Sequence, residues 1–259
     1  MFSYSFLQWI LFFYIYCFIG WIIESAIVSF EQKKFVNRGF LRGPFLPLYG
    51  FGAIVILFVT LPAKANPALV YLFGMFGCTI LEYFTGWLME SILKMKYWDY
   101  SCYKFNFQGR VCLRCSLFWG FLSLFLTYGL HRLVETLILS MTEKFTLILV
   151  IIMSCYILSD TIYAFRTAFD VNKLLENITR IKMEIEQLKA QLAEKVETSE
   201  HTAAIRNRMQ DLKTELGMTL NKINFFNKQL IKAHPHAYSR YFNEALKEVR
   251  ARINEKIAK

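Results

Sequence analysis

The sequence predicts an all-α polytopic membrane protein, with about five transmembrane helices followed by a charged helical tail. Three observations carry that reading. Of 259 residues, 55% are hydrophobic and 17% aromatic, with 25 Phe, more apolar mass than an ordinary soluble domain holds. Charge is uneven: residues 1–165 hold 12 Lys/Arg and 8 Asp/Glu, whereas 166–259 hold 18 and 12. Lastly, five apolar segments approach the roughly 20 residues needed to cross hydrocarbon, near 4–29, 45–62, 67–93, 116–138 and 145–168. The expected division is a transmembrane domain, 1–168, and a cytoplasmic helical tail, 169–259.

The first segment reads as a retained span, since no basic stretch precedes it and no small-residue cleavage site follows. The six cysteines lack the spacing of a secreted disulfide framework. Orientation follows from the basic residues. Lys33, Lys34, Arg38 and Arg42 lie between spans one and two. Lys94, Lys96, Lys104, Arg110 and Arg114 lie between spans three and four. The other side holds Lys64, Arg132 and Lys144. Basic loops stay cytoplasmic, so the N-terminus is expected outside and the C-terminus inside. In bacteria this is the inner membrane.

An internal repeat is expected. Gly20-Trp21-Ile22-Ile23-Glu24-Ser25 in span one matches Gly86-Trp87-Leu88-Met89-Glu90-Ser91 in span three at four of six positions. Downstream glycines keep a shared spacing: Gly39 to Gly50 and Gly109 to Gly120 are both eleven apart. Spans one-two and three-four therefore read as two parallel copies of one hairpin, a plan that places sites between halves.

Carboxylates inside spans are costly and normally face the bundle interior. Glu24, Glu82, Glu90 and Asp160 are such residues. Glu24 and Glu90 also fit an interfacial role, paired with loop arginines. Glu82 and Asp160 have apolar flanks and point to a buried network or polar path. Arg38, Arg42, Arg110 and Arg114 are the available counter-charges, or lipid-phosphate ligands. Asp99, Asn106 and Trp98 belong to the third connection with Gly109. The first connection contains Gly39, Gly43 and Pro44, which break regular helix at a depth tolerated only inside protein or beside water. Cys112-x-x-Cys115 lacks a second ligand pair, so no metal is expected, and no motif asks for a cofactor.

The broken stretch 35–52, Leu81-Glu82-Tyr83 with Gly86-Trp87, and the run from Trp98-Asp99-Tyr100-Ser101 to Trp119-Gly120 resemble the bacterial family described as Putative ABC-transporter type IV. The resemblance covers most of 9–168, and Pro235–Leu246, with Arg240, Phe242 and Asn243, is similar to the family's tail. It implies a permease-like role in transport across the cytoplasmic membrane. The chain has no G-x-x-x-x-G-K-[ST] phosphate loop, so an ATPase would be a separate partner chain.

In the tail, Leu174, Ile178, Ile181, Ile185, Leu188 and Leu192, then Ile205, Met209, Leu212, Leu216, Leu220 and Ile223, follow steps of three and four, the seam of a coiled coil. The pattern falters over Val196 to Thr202. Either the tail turns there as an antiparallel hairpin, near Glu197–Thr202, or it is one long helix pairing with a second chain. His234-Pro235 ends the helix, and Ser239 can cap a final one over 240–257. Tail aromatics do not interleave with basic residues as a stacking platform, so nucleic acid is not an expected partner. Three classes of function remain open. One is a transport component with an acidic and arginine-bearing site near the cytoplasmic face. The second is a membrane-embedded enzyme acting on a lipid or prenyl-linked substrate, against which no nucleophile stands beside a base. The third is a scaffold or sensor acting through the coiled coil, by self-association or with a protein partner.

Overall fold

The computed structural model describes residues 4–194, 199–235 and 237–255. Helix α1 (Phe6–Gln32) opens on a capping box between Ser5 and Gln8 and closes on Lys33 in the left-handed region, φ 51°. Helix α2 spans Pro47–Thr60 and runs into a 3-10 turn, Leu61–Ala63. Asn66 caps α3 (Pro67–Leu93), whose first residue is a proline with no amide to leave unsatisfied. A two-stranded ribbon, β1 (Asn106–Phe107) and β2 (Val111–Cys112), follows in the third connection. Helix α4 (Leu113–Phe125) passes through a π turn, Leu126–Leu130, into α5 (His131–Leu139). Helix α6 (Glu143–Glu194), α7 (Ser199–Asn221), α8 (Phe225–Ala233) and α9 (Asn243–Glu255) complete the chain.

Four helical stretches are long and apolar enough to cross a membrane: Phe6–Glu31, Pro67–Leu93, Leu113–Leu139 and Glu143–Ala193. The expected second span, 45–62, is a shorter apolar helix, Pro47–Ala63. With its 3-10 turn it rises about 27 Å, just under the roughly 30 Å of hydrocarbon, and the Lys64 carbonyl beyond it accepts from Tyr128, so it still carries the chain from one end of the bundle to the other. The reason it is short is local. Phe45 and Leu46 remain in the broken connection, Pro47 starts the helix and Pro62 ends its regular part. The Leu46 amide donates to the Cys17 carbonyl at 3.0 Å, so irregular backbone is seated against α1 rather than against lipid.

The spans pack through Phe12, Tyr16, Ile56, Leu57, Cys78, Trp119 and Ile138, all buried. Large apolar side chains remain bare on their outer faces, including Phe58, Phe76, Ile80, Phe121 and Leu158 at about 60–70% exposure. Patches of that extent need an apolar solvent, which the bilayer supplies.

No linker separates the last span from the tail, because α6 is one 52-residue helix, about 78 Å long. Helix α7 runs back along it. Arg208 pairs with Glu184 at 2.7 Å and Arg180 with Glu215 at 3.9 Å, an antiparallel order, around buried Ile181, Ile185 and Leu212. Of the faltering segment, Val196 to Thr202, positions 196–198 lie outside the described residues and 199–202 form the start of α7. Helices α8 and α9 then fold under the bundle, where Leu230, Ile231, Leu246 and Val249 share a core with Leu93, Tyr97 and Leu175. Lys96 and Tyr238 exchange backbone hydrogen bonds at 2.8 and 2.9 Å. The Ser239 hydroxyl donates to the Lys94 carbonyl and accepts from the amides of Tyr241 and Phe242, ahead of α9. Both basic connections and the tail therefore meet at one end of the bundle. The start of α1 lies at the other, with Tyr4 bonded to His131 and Glu135.

Candidate functional site

A cavity of about 580 Å³ opens between α1, α2, α3, α4 and α6 at the end that carries the basic connections. Its size is that of a small-molecule site. Most of its wall is aromatic or aliphatic, and its charged residues are Glu24, Arg38 and Glu82.

Glu24 sits near the C-terminal end of α1 and accepts a hydrogen bond from the Tyr49 hydroxyl at 2.7 Å. The Arg38 Nε lies 3.9 Å from its other oxygen. Tyr49 reaches Glu24 because Gly20 leaves room for its ring between α1 and α2. Glu82 is 4% exposed. Its carboxyl accepts from the Tyr100 hydroxyl at 3.1 Å and from the Trp119 indole N–H at 3.0 Å. Two donors satisfy it, but among the described residues no cation stands within ion-pair distance of it.

Arg38 also holds the tail. One Nη donates to the Ala233 carbonyl at 2.5 Å and to His234 Nδ1 at 2.7 Å. A guanidinium only donates, so His234 Nδ1 is the acceptor and the imidazole proton sits on Nε2. Burial, with the Arg38 charge beside it, holds His234 well below its ordinary pKa and therefore neutral. His234 and Tyr97 meet edge to face, centroids 4.9 Å apart, and both line the cavity. His234 Nε2 and the Tyr97 hydroxyl have no hydrogen-bond partner among the described residues.

The remaining sequence candidates lie elsewhere. Glu90 is bound by Arg110 at 2.7 Å and approached by Arg240 at 3.3 Å, forming a clasp between α3, the third connection and the tail. Arg110 further bonds Gln108 and stands over the Tyr83 ring. Asp160 does not line the cavity. It accepts the backbone amides of Arg42 at 3.1 Å and Gly43 at 2.8 Å, and so anchors the first connection to α6. Arg42 turns its guanidinium to Thr167 and stacks over Phe226, 3.6 Å from the ring centre. Asp99 accepts from Ser101 and lies 3.8 Å from Lys96. Asn106 and Gly109, φ 68°, shape the ribbon turn. Arg114 is exposed, above the Tyr103 ring.

Among the motif residues, Trp21 donates to Asn37, whose oxygen also takes the Gly39 amide. Gly43 fits beneath Tyr156 and Asp160, next to half-buried Pro44. Gly86 lets Trp98 and Arg110 approach α3, and the Trp98 indole donates to the Arg110 carbonyl. Trp87 is 44% exposed on the outer face.

Sequence reasoning missed His234 as a wall of the cavity, seeing only a helix stop before Pro235. It also missed the cluster at the opposite end, where buried His131 meets the Tyr16 hydroxyl at 2.8 Å and the Tyr4 hydroxyl at 3.2 Å, just after the π turn. Nothing in the spacing of these residues announces them, because they come from separate helices.

Fold and cavity together define a polytopic helical membrane protein with a chamber at one end of its bundle. The chain belongs to the Putative ABC-transporter type IV family, whose model matches residues 11–165. That match takes in Phe6–Glu31 from residue 11, all of Pro67–Leu93 and Leu113–Leu139, and Glu143–Ala193 as far as residue 165, and supports a membrane protein related to transport. No curated protein and no solved structure matches the chain.

Proposed function

We propose that the chain is the permease-like membrane component of a transport system of the cytoplasmic membrane, and that the 580 Å³ cavity is its substrate chamber. The observation that carries this reading is Glu82, a carboxyl buried inside a spanning helix and held at the wall of an otherwise apolar cavity. Ionisable groups at such depth mark substrate or ion paths. Two parallel hairpin copies, α1–α2 and α3–α4, enclose the chamber, each carrying a Glu near the end of its first helix. Glu24 meets Arg38 and Glu90 meets Arg110, which fits a duplication. The basic connections and the tail face the cytoplasm, with the N-terminus outside, by the excess of Lys and Arg at that end. Energy comes from a separate ATPase chain, for which the α6–α7 pair is the projecting platform; two such tails can also pair with each other.

Cysteine labelling tests the chamber. In a background without the native cysteines, Thr85→Cys and Thr161→Cys, both in the cavity wall, should react with a membrane-impermeant maleimide in inverted vesicles. Ile80→Cys, on the lipid face, should not. Unreactive Thr85 and Thr161 positions would sink the chamber, and labelling only in right-side-out vesicles would reverse the orientation.

A further inference from the structure

We infer that the chamber takes a lipophilic organic cation, with Glu82 as its counter-ion. This rests on the cavity being the substrate chamber and adds what it selects. The first ground is charge balance. Arg38 is already matched by Glu24 at 3.9 Å and by the Ala233 carbonyl. Glu82 is not matched: its partners, Tyr100 and Trp119, are neutral donors. His234, the other titratable group of basic type in the wall, is neutral for the reasons given above. With both carboxylates ionised, the cavity wall carries one negative charge in excess.

A carboxylate in that state, 4% exposed and with no protein cation within ion-pair distance among the described residues, favours a cation delivered by the ligand. The second ground is the rest of the wall. Trp98, Trp119, Tyr49, Tyr100, Phe40 and Phe118 line it. Aromatic rings attract a desolvated organic cation through their quadrupoles, and offer nothing comparable to an anion. Tyr100 and Trp119 also direct their polar hydrogens at Glu82, so the charge and the rings form one unit. The space is that of a drug-sized molecule rather than a bare ion.

Tetraphenylphosphonium and tetraphenylborate have nearly the same shape and opposite charge, and test the idea without any variant. Binding to the full chain in neutral-lipid nanodiscs is followed by tryptophan fluorescence and equilibrium dialysis. The phosphonium should bind saturably, one per chain, at least tenfold more tightly than the borate. Glu82→Gln, with an unchanged melting transition, should lose at least tenfold in affinity for the phosphonium, and Glu82→Asp should recover part of it. Equal binding of the two ions, tighter binding of the borate, or a Glu82→Gln variant that binds as well as the parent would each overturn the inference. If neither ion binds while Thr85→Cys and Thr161→Cys still label, the cation is wrong and the chamber stands. If those positions do not label, the underlying reading fails with it.

Discussion

Asp160 and Glu82 look alike along the chain, each a carboxyl between apolar neighbours, and the structure gives them different tasks. Asp160 accepts two backbone amides of the first connection at 3.1 and 2.8 Å. Hydrogen bonds to a charged acceptor contribute about 1.5–3 kcal/mol each. Asp160→Ala should therefore destabilise the protein by roughly 3 kcal/mol, seen as a lower melting temperature in detergent, with Asp160→Asn milder. A variant that melts like the parent would refute the anchoring role. Glu82 instead faces a cavity and neutral donors, so its replacement should alter ligand binding more than folding. Sequence could place both residues in the membrane, because their flanks are apolar. It could not say which would find amides and which an open space, since Arg42 and Gly43 are more than a hundred residues from Asp160.

Among the elements, the short α2 is the most informative. Its start at Pro47 was visible as a helix-breaking run, whereas its shortness depended on Phe45 and Leu46 staying in the broken connection. The α1–α2 interface turns on Gly20. A Cβ there would lie 2.7 Å from Cδ1 of Tyr49, and nearer still to other atoms of that side chain. Gly20→Ala should cost about 1–3 kcal/mol by overpacking and push Tyr49 off Glu24. The measurable result is a lowered melting temperature together with altered ligand affinity. Gly217, with open space around it, is the contrasting site: Gly217→Ala should not lower stability, as it adds helix propensity without a clash. The repeated Gly-Trp-x-x-Glu-Ser pattern pointed to Gly20, but its partner ring came from another helix.

For the molecule as a whole, the tail is not an appendage but one wall of the cavity, through His234 and its bond to Arg38. His234 is neutral when folded, with a pKa held below its ordinary 6.5. The unfolded chain then binds the extra proton first, so stability rises with pH in that window and is lost as pH falls below 6.5. The slope can reach about 1.4 kcal/mol per pH unit for one group. Protonation also removes one of the two acceptors that this Arg38 Nη uses. Melting temperatures from pH 7 to pH 5 should fall for the parent and be flatter for His234→Gln; superimposable slopes would refute the link. Arg250 and Tyr97, which also surround His234, remain unchanged in that comparison.

What the sequence determined by itself is the solvent this chain needs and the order of its helices. Runs of apolar residues demand hydrocarbon, Gly and Pro interrupt helices, and a Ser, Asn or Pro at the right step starts them; these are local causes, legible one window at a time. Only the tertiary structure decided that Glu24, Glu82, Arg38 and His234 share one cavity, that Asp160 and Glu90 do not, and that the tail closes the wall. Those outcomes depend on which side chains meet across helices far apart in the chain, and no local pattern records such a meeting.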